Sequence, residues 1–128
     1  MTRALLDTSF VIALARGVDV DVERPPSEAA ISAVTLCGLH HGVLIADDRR
    51  RPGRLATLAY VERRFAVLAL DDRIAPHFGR IVAEARRAGR RPGTADALIA
   101  ATAAAHDIPV YTRDRDFAGL PGVDVVLA

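Results

Sequence analysis

Four aspartates carry the chemistry that this 128-residue sequence could do: Asp7, Asp96, Asp114 and Asp116. Carboxylates brought together repel and raise one another's pKa. A hard divalent cation removes that conflict, because Mg²⁺ and Mn²⁺ take oxygen ligands and readily bridge carboxylate to phosphate. Taken singly, the same residues have ordinary duties. An aspartate at a helix start caps the helix or complements its dipole, and Asp114 and Asp116 alone read as loop residues. The chemistry exists only if the surrounding elements deliver these carboxylates to one place.

Those elements alternate along the chain. Arg3–Leu6 reads as a short apolar strand, and Asp7-Thr8-Ser9 after it are helix-capping types before a helix over 10–15. Residues 18–28 carry Pro25-Pro26 and read as irregular. A second strand is expected over 29–34, with Thr35 starting a helix that continues through His40. Asp48 to Pro52 is a charged break. Leu55, Leu58, Ala59, Glu62 and Phe65 then fall at helical spacing. A third strand is expected over 67–70, then a long helix capped by Asp71 or Asp72, with Ile74, Phe78, Ile81, Val82 and Ala85 on one face. Thr94 reads as the cap of a helix over 95–105, with Asp96 in its first turn. Strands over 108–112 and 123–127 complete the chain. This alternation predicts an α/β fold with a mainly parallel central sheet and helices on both faces. Sites in such sheets form beyond the C-terminal strand ends. Asp7, Asp96 and Asp114–Asp116 all fall there.

Composition narrows the classes. Apolar residues make up 51% and charged residues 26% of the chain, a globular balance. One cysteine, Cys37, allows no internal disulfide and fits a reducing compartment. No apolar run approaches the roughly 20 residues that span a bilayer, and Asp7 comes too early for a signal-peptide core. The expectation is a cytoplasmic protein without a membrane partner. All 17 basic residues are arginine, so no mechanism that needs lysine can operate. Arginine suits phosphate, because its fork binds two oxygens at once.

The sequence resembles the PIN-domain family and, within it, the VapC toxins. Four segments carry the resemblance: Leu5-Leu6-Asp7-Thr8-Ser9, Ile31-Ser32-Ala33-Val34-Thr35-Leu36, Gly93-Thr94-Ala95-Asp96-Ala97-Leu98-Ile99-Ala100-Ala101 and Tyr111-Thr112-Arg113-Asp114-Arg115-Asp116-Phe117. Each is weak alone; four in the family's order and spacing are a strong signal. The resemblance implies one PIN domain over residues 1–128, a three-layer sandwich. It implies a ribonuclease whose acidic cluster holds Mg²⁺ or Mn²⁺ and which cuts structured RNA of the tRNA or rRNA class. It also implies inhibition by a VapB-type antitoxin whose tail enters the site, and a homodimer. Asp7, Asp96 and Asp114 match the family's metal-binding aspartates, and Asp116 a more variable acidic position. Thr8, Ser9 and Thr112 match polar positions in or just behind the site.

One position departs from the pattern. Family members usually carry glutamate in Thr-Leu-Ala-Glu-Leu, where this chain has Thr35-Leu36-Cys37-Gly38-Leu39. With Thr35 as the helix cap, Gly38 would occupy the third helical position, which a capping box fills with Glu or Gln. Glycine inside a helix costs about 1 kcal/mol relative to alanine. Gly38 thus breaks a helix rule and removes an expected ligand together. A weakened natural site and an introduced inactivating change both fit.

Other candidates weigh less. Adjacent His40 and His41 point in different directions on a helix, and Cys37 reads as core. Arg49-Arg50-Arg51 with Arg54 reads as a solvated face. Arg86, Arg87, Arg90 and Arg91 lead into the Asp96 segment and are candidates for holding RNA phosphates. Three functions compete: a metal-dependent ribonuclease, a PIN fold that mainly binds antitoxin and RNA because of Gly38, and a phosphate-accepting α/β domain. The third fits poorly, for it generally needs a lysine, and the first strand ends Asp-Thr-Ser rather than Asp-x-Asp.

Overall fold

The computed structural model describes residues 3–18 and 27–128. Five strands form one sheet: β1 (Arg3–Leu6), β2 (Glu28–Ser32), β3 (Ala66–Leu68), β4 (Val110–Thr112) and β5 (Val125–Leu127). Their order is β3-β2-β1-β4-β5, and every neighbouring pair is parallel. The helices are α1 (Thr8–Ala15), α2 (Ala33–Ile45), α3 (Arg51–Arg64), α4 (Ala75–Arg87), α5 (Thr94–Ala105) and the short α6 (Arg115–Ala118). A 3₁₀ turn, Asp72–Ile74, leads into α4.

The strand pleat explains the three layers. Successive side chains point to opposite faces. Leu5, Ala30 and Val110 face a core with Ile74, Ile81, Ile99 and Phe117. Their neighbours Ala4, Leu6, Ile31 and Tyr111 face the other core, with Phe10, Val11, Leu39, Leu58 and Val61. So α4, α5 and α6 cover one face and α1, α2 and α3 the other. The α/β sandwich expected from the alternation is present, and its sheet is wholly parallel.

Several boundaries differ from the sequence reading. The second strand ends at Ser32, and Ser32 rather than Thr35 caps the next helix: its extended backbone precedes Ala33, and its hydroxyl accepts the Val34 N–H at 3.0 Å. That helix continues to Ile45. Gly93, with no side-chain cap, precedes the helix expected to be capped by Thr94. The third strand stops at Leu68, and Asp71 caps the 3₁₀ turn rather than the long helix itself. Pro52 does not break α3 but sits in its first turn, where the missing N–H costs nothing. Helix α6 was not expected. Cys37 is exposed rather than core, and His40 faces Glu62 at 3.8 Å. The irregular stretch expected over 18–28 lies, for 19–26, outside the described residues.

Candidate active site

Strand β1 lies at the centre of the sheet, with β2 and β4 on either side. This is the switch point at which parallel α/β sheets place their sites. Asp7 follows β1 directly. Its N–H donates to the Tyr111 carbonyl at 3.0 Å, extending the β1–β4 ladder by one residue. The residue is only 4% exposed.

Each oxygen of that buried carboxylate is engaged. Oδ1 accepts the Ser9 hydroxyl at 2.8 Å and the Phe10 N–H at 2.9 Å. The second bond makes Asp7 the N-cap of α1. Oδ2 accepts the Thr112 hydroxyl at 2.5 Å. Three donors hold the carboxylate in one orientation, and Oδ2 keeps a free lone pair. Asp7 is therefore a cap and a member of the acidic cluster at once.

Thr112 ends β4, fully buried, and its hydroxyl also accepts the Asp114 N–H at 3.0 Å. Asp114 in turn caps α6, its Oδ1 accepting the Asp116 N–H at 2.9 Å. Ser9 accepts the Arg113 N–H at 3.3 Å. The polar residues that the resemblance singled out are thus the struts between the acidic segments: Ser9 and Thr112 join Asp7 to the β4–α6 turn. Thr8 reaches the other way, its hydroxyl 3.1 Å from that of Thr35 on α2. Thr35, read from sequence as a cap, is a buried positioning residue in the first turn of α2. The Ser32-x-x-Thr35 spacing could have revealed it, since the earlier residue can cap.

Asp96 lies in the first turn of α5, half-buried. Burial holds its carboxyl above the usual aspartate value, and the charges of Asp114 and then Asp7 push it further in the same direction. Three aspartates from three chain segments are therefore close enough to repel. A cavity of about 330 Å³ opens there, lined by Asp96, Asp114 and Asp116 together with Arg90, Arg91 and Gly93. Arg90 crosses its rim and donates to the Asp116 carbonyl at 2.7 Å. Gly119 makes room for it, because a Cβ there would overlap the Arg90 guanidinium as it lies. Arg86 and Arg87 are exposed in the last turn of α4 and do not line this cavity.

Gly38 stands apart from that cavity. It lies in the second turn of α2, one turn beyond Thr35, and among the described residues outside its own helix backbone nothing lies within 4 Å of where its Cβ would be. With Ser32 as the cap, Gly38 is not the third helical position, so the capping-box argument for glutamate fails. The space it opens into is a separate pocket lined by Thr8, Ile12, Arg16, Leu39, Gly42, Arg54 and Thr57.

Among the described residues, no three carboxylate, imidazole or thiol groups form a ready-made metal cage. None of the helices among the described residues is long and apolar enough to cross a membrane.

Residues 4–123 match the PIN domain family. The chain is similar to ribonuclease VapC5 of Mycobacterium tuberculosis, 40% identical over 92% of this chain and 87% of that protein. It is also similar to ribonuclease VapC4 of the same organism, 35% identical over 97% and 95%. A crystal structure of VapBC-5, a member of the VapBC family of toxin–antitoxin systems from M. tuberculosis, superposes with a TM-score of 0.86, 35% identity and full coverage of both chains.

Proposed function

This chain belongs to the PIN-domain family, and from that membership we propose that it is the toxin of a VapBC-type system: an endoribonuclease restrained by a VapB antitoxin. The reading takes residues 1–128 as one PIN domain, acting in the cytoplasm and paired as a homodimer. One observation carries the site assignment. Asp96, Asp114 and Asp116 line one cavity, and the Thr112 hydroxyl ties Asp7 to the turn that carries Asp114, in keeping with the raised Asp96 carboxyl.

Divalent-metal dependence is general among PIN-domain VapC nucleases, and the donors here fit it in kind. They are all carboxylate oxygens, they repel one another, and Asp7 Oδ2 retains a lone pair. They do not form a closed cage, which suits Mg²⁺ or Mn²⁺ more than a dehydrated ion, because Mg²⁺ keeps several waters and binds through one or two carboxylates plus phosphate. Asp96 and Asp114 would hold the ion, with Asp7 behind them and Asp116 at the rim. Bound there, the ion would neutralise the carboxylates and polarise a scissile phosphate.

The chain's own residues do the positioning. Ser9, Phe10 N–H and Thr112 fix Asp7, and Thr112 fixes the turn that presents Asp114. Arg90 and Arg91 border the cavity and face an RNA backbone of tRNA or rRNA class with forked donors. Arg86 and Arg87, exposed in the last turn of α4, are further candidates for phosphate contact.

A second reading rests on Gly38. The position where the family usually supplies glutamate holds no side chain, so the chain would bind antitoxin and RNA but cut slowly. RNA cleavage with titrated Mg²⁺ and Mn²⁺, comparing this protein with Asp96→Asn, tests the first reading. Cleavage that requires metal and vanishes in the variant supports it; equal cleavage by both overturns it.

A further inference from the structure

Two clefts on the α1–α2–α3 face share Arg16, Arg54 and Thr57 and so form one groove. The inner part, about 280 Å³, begins at Thr8 and Gly38. The outer part, about 520 Å³, continues past Arg49, Arg50 and Gly53. Four arginines line it and, among the described residues, no acidic residue does. The nearby carboxylates are committed elsewhere: Asp48 pairs with Arg51 at 2.9 Å, and Asp47 caps the Arg50 N–H at 2.9 Å. Arg54 is held in place by its bond to the Gly42 carbonyl at 2.7 Å. The exposed side chains of Arg16, Arg49 and Arg50 make no hydrogen bond or ion pair among the described residues. The run that looks like a solvated face in sequence is thus sorted by the fold. Arg51 is structural, bound to Asp48 and to the Val43 and Ala46 carbonyls, while its neighbours, with Arg16 from the end of α1, are left facing one channel.

We infer that this groove is a phosphate track for the RNA substrate, entered beside Thr8 and floored by Gly38 and Gly42. The inference rests on the ribonuclease reading and deepens it. Free guanidiniums facing a channel whose described lining holds four arginines and no acid attract a polyanion, and each phosphate neutralised releases counterions. A channel starting at Thr8, the residue after Asp7, delivers a backbone to the acidic centre without passing over its carboxylates. On this account Gly38 keeps the entrance open: a longer side chain there would project among Thr8, Arg16 and Arg54.

Binding of fluorescently labelled tRNA in EDTA measures the track without cleavage. Arg16→Ala/Arg49→Ala/Arg50→Ala should weaken affinity on the order of tenfold at moderate salt and flatten the log–log salt slope by about 2. Its melting temperature should stay near that of the parent, because these side chains bond to nothing described. Arg63→Ala/Arg64→Ala/Arg73→Ala removes the same charge elsewhere and should weaken binding much less. Gly38→Glu should lower affinity in EDTA more than Gly38→Gln of the same shape. If the two triple variants bind alike, the effect is net charge and the track is wrong, even where the parent binds and cuts RNA. If the parent neither binds nor cuts RNA, the ribonuclease reading falls and takes the track with it.

Discussion

Thr112 donates its hydroxyl to Asp7 Oδ2 at 2.5 Å, joining residues 105 positions apart in the chain. The Thr112 hydroxyl oxygen in turn accepts the Asp114 N–H. One buried hydroxyl therefore sets the spacing between two acidic segments. Thr112→Val keeps the shape and removes both bonds, leaving a buried carboxylate oxygen short of a donor. The expected loss is about 2 kcal/mol of stability, since an unsatisfied buried polar group costs its desolvation. Thr112→Ser should recover most of it. Urea unfolding of the three proteins measures this, and a valine variant as stable as the parent would show that the bond does no structural work.

Asp96 gives the fold a pH signature in the absence of metal. Its carboxyl is held above the ordinary aspartate value, first by burial, then by the charges of Asp114 and Asp7. A raised acid favours folding while protonated, and that contribution is lost as pH rises through the folded-state pKa. In EDTA at neutral pH, Asp96→Asn should therefore melt at a higher temperature than the parent. The gap should close as pH falls through the carboxylate range. Mg²⁺ should stabilise the parent and not the variant. Thermal melts across pH decide it; a variant that melts lower at neutral pH would refute the charge argument.

Much of this site was legible in sequence because local rules and chemistry coincide in the same residues. Asp7 reads as a helix cap and is one; Asp114 reads alone as a loop residue and proves to cap α6; the alternation of elements placed both at one sheet edge. What failed were choices between equivalent local signals. Ser32 and Thr35 are both capping types. The pairing of β2 with β3, Ser32 opposite Leu68, ends the strand at Ser32 and so gives it the cap. That pairing is non-local and no window around Thr35 contains it. Helix α6 has four residues, too few for periodicity to declare. The arginine run at 49–51 shows no internal difference in sequence; only the folding of α3 back on the end of α2, where Arg51 bonds the Val43 and Ala46 carbonyls and Asp48, separates it from its neighbours.

An antitoxin tail entering the acidic cavity should do so with arginine. The cavity holds Asp96, Asp114 and Asp116, and Arg90 is already committed in part to a backbone carbonyl. A partner guanidinium can bind a carboxylate there through two parallel hydrogen bonds. Replacing that partner arginine with alanine should weaken inhibition of cleavage more than it weakens overall binding. Titrating the cognate antitoxin and its variant against cleavage and against complex formation separates the two effects. Equal losses would place the arginine outside the cavity.

Gly38 makes separable predictions about stability and chemistry. It lies inside α2 with open space where a Cβ would be. Gly38→Ala should therefore stabilise the protein by about 1 kcal/mol through helix propensity alone. Gly38→Glu should gain a similar amount and also add an anionic ligand on the Thr8 side of Asp7. More anionic ligands hold Mg²⁺ more tightly, so metal affinity and cleavage at saturating RNA should rise. If the groove beside it carries RNA, KM should rise too, because the new carboxylate stands among Arg16 and Arg54. Asp96→Asn in the Gly38→Glu background should abolish the gain in rate. The measurement is cleavage by the parent, Gly38→Glu and the double variant with titrated Mg²⁺ and Mn²⁺. A parent that cuts as fast as Gly38→Glu at every metal concentration would show that position 38 supplies no required ligand, and that three aspartates are enough.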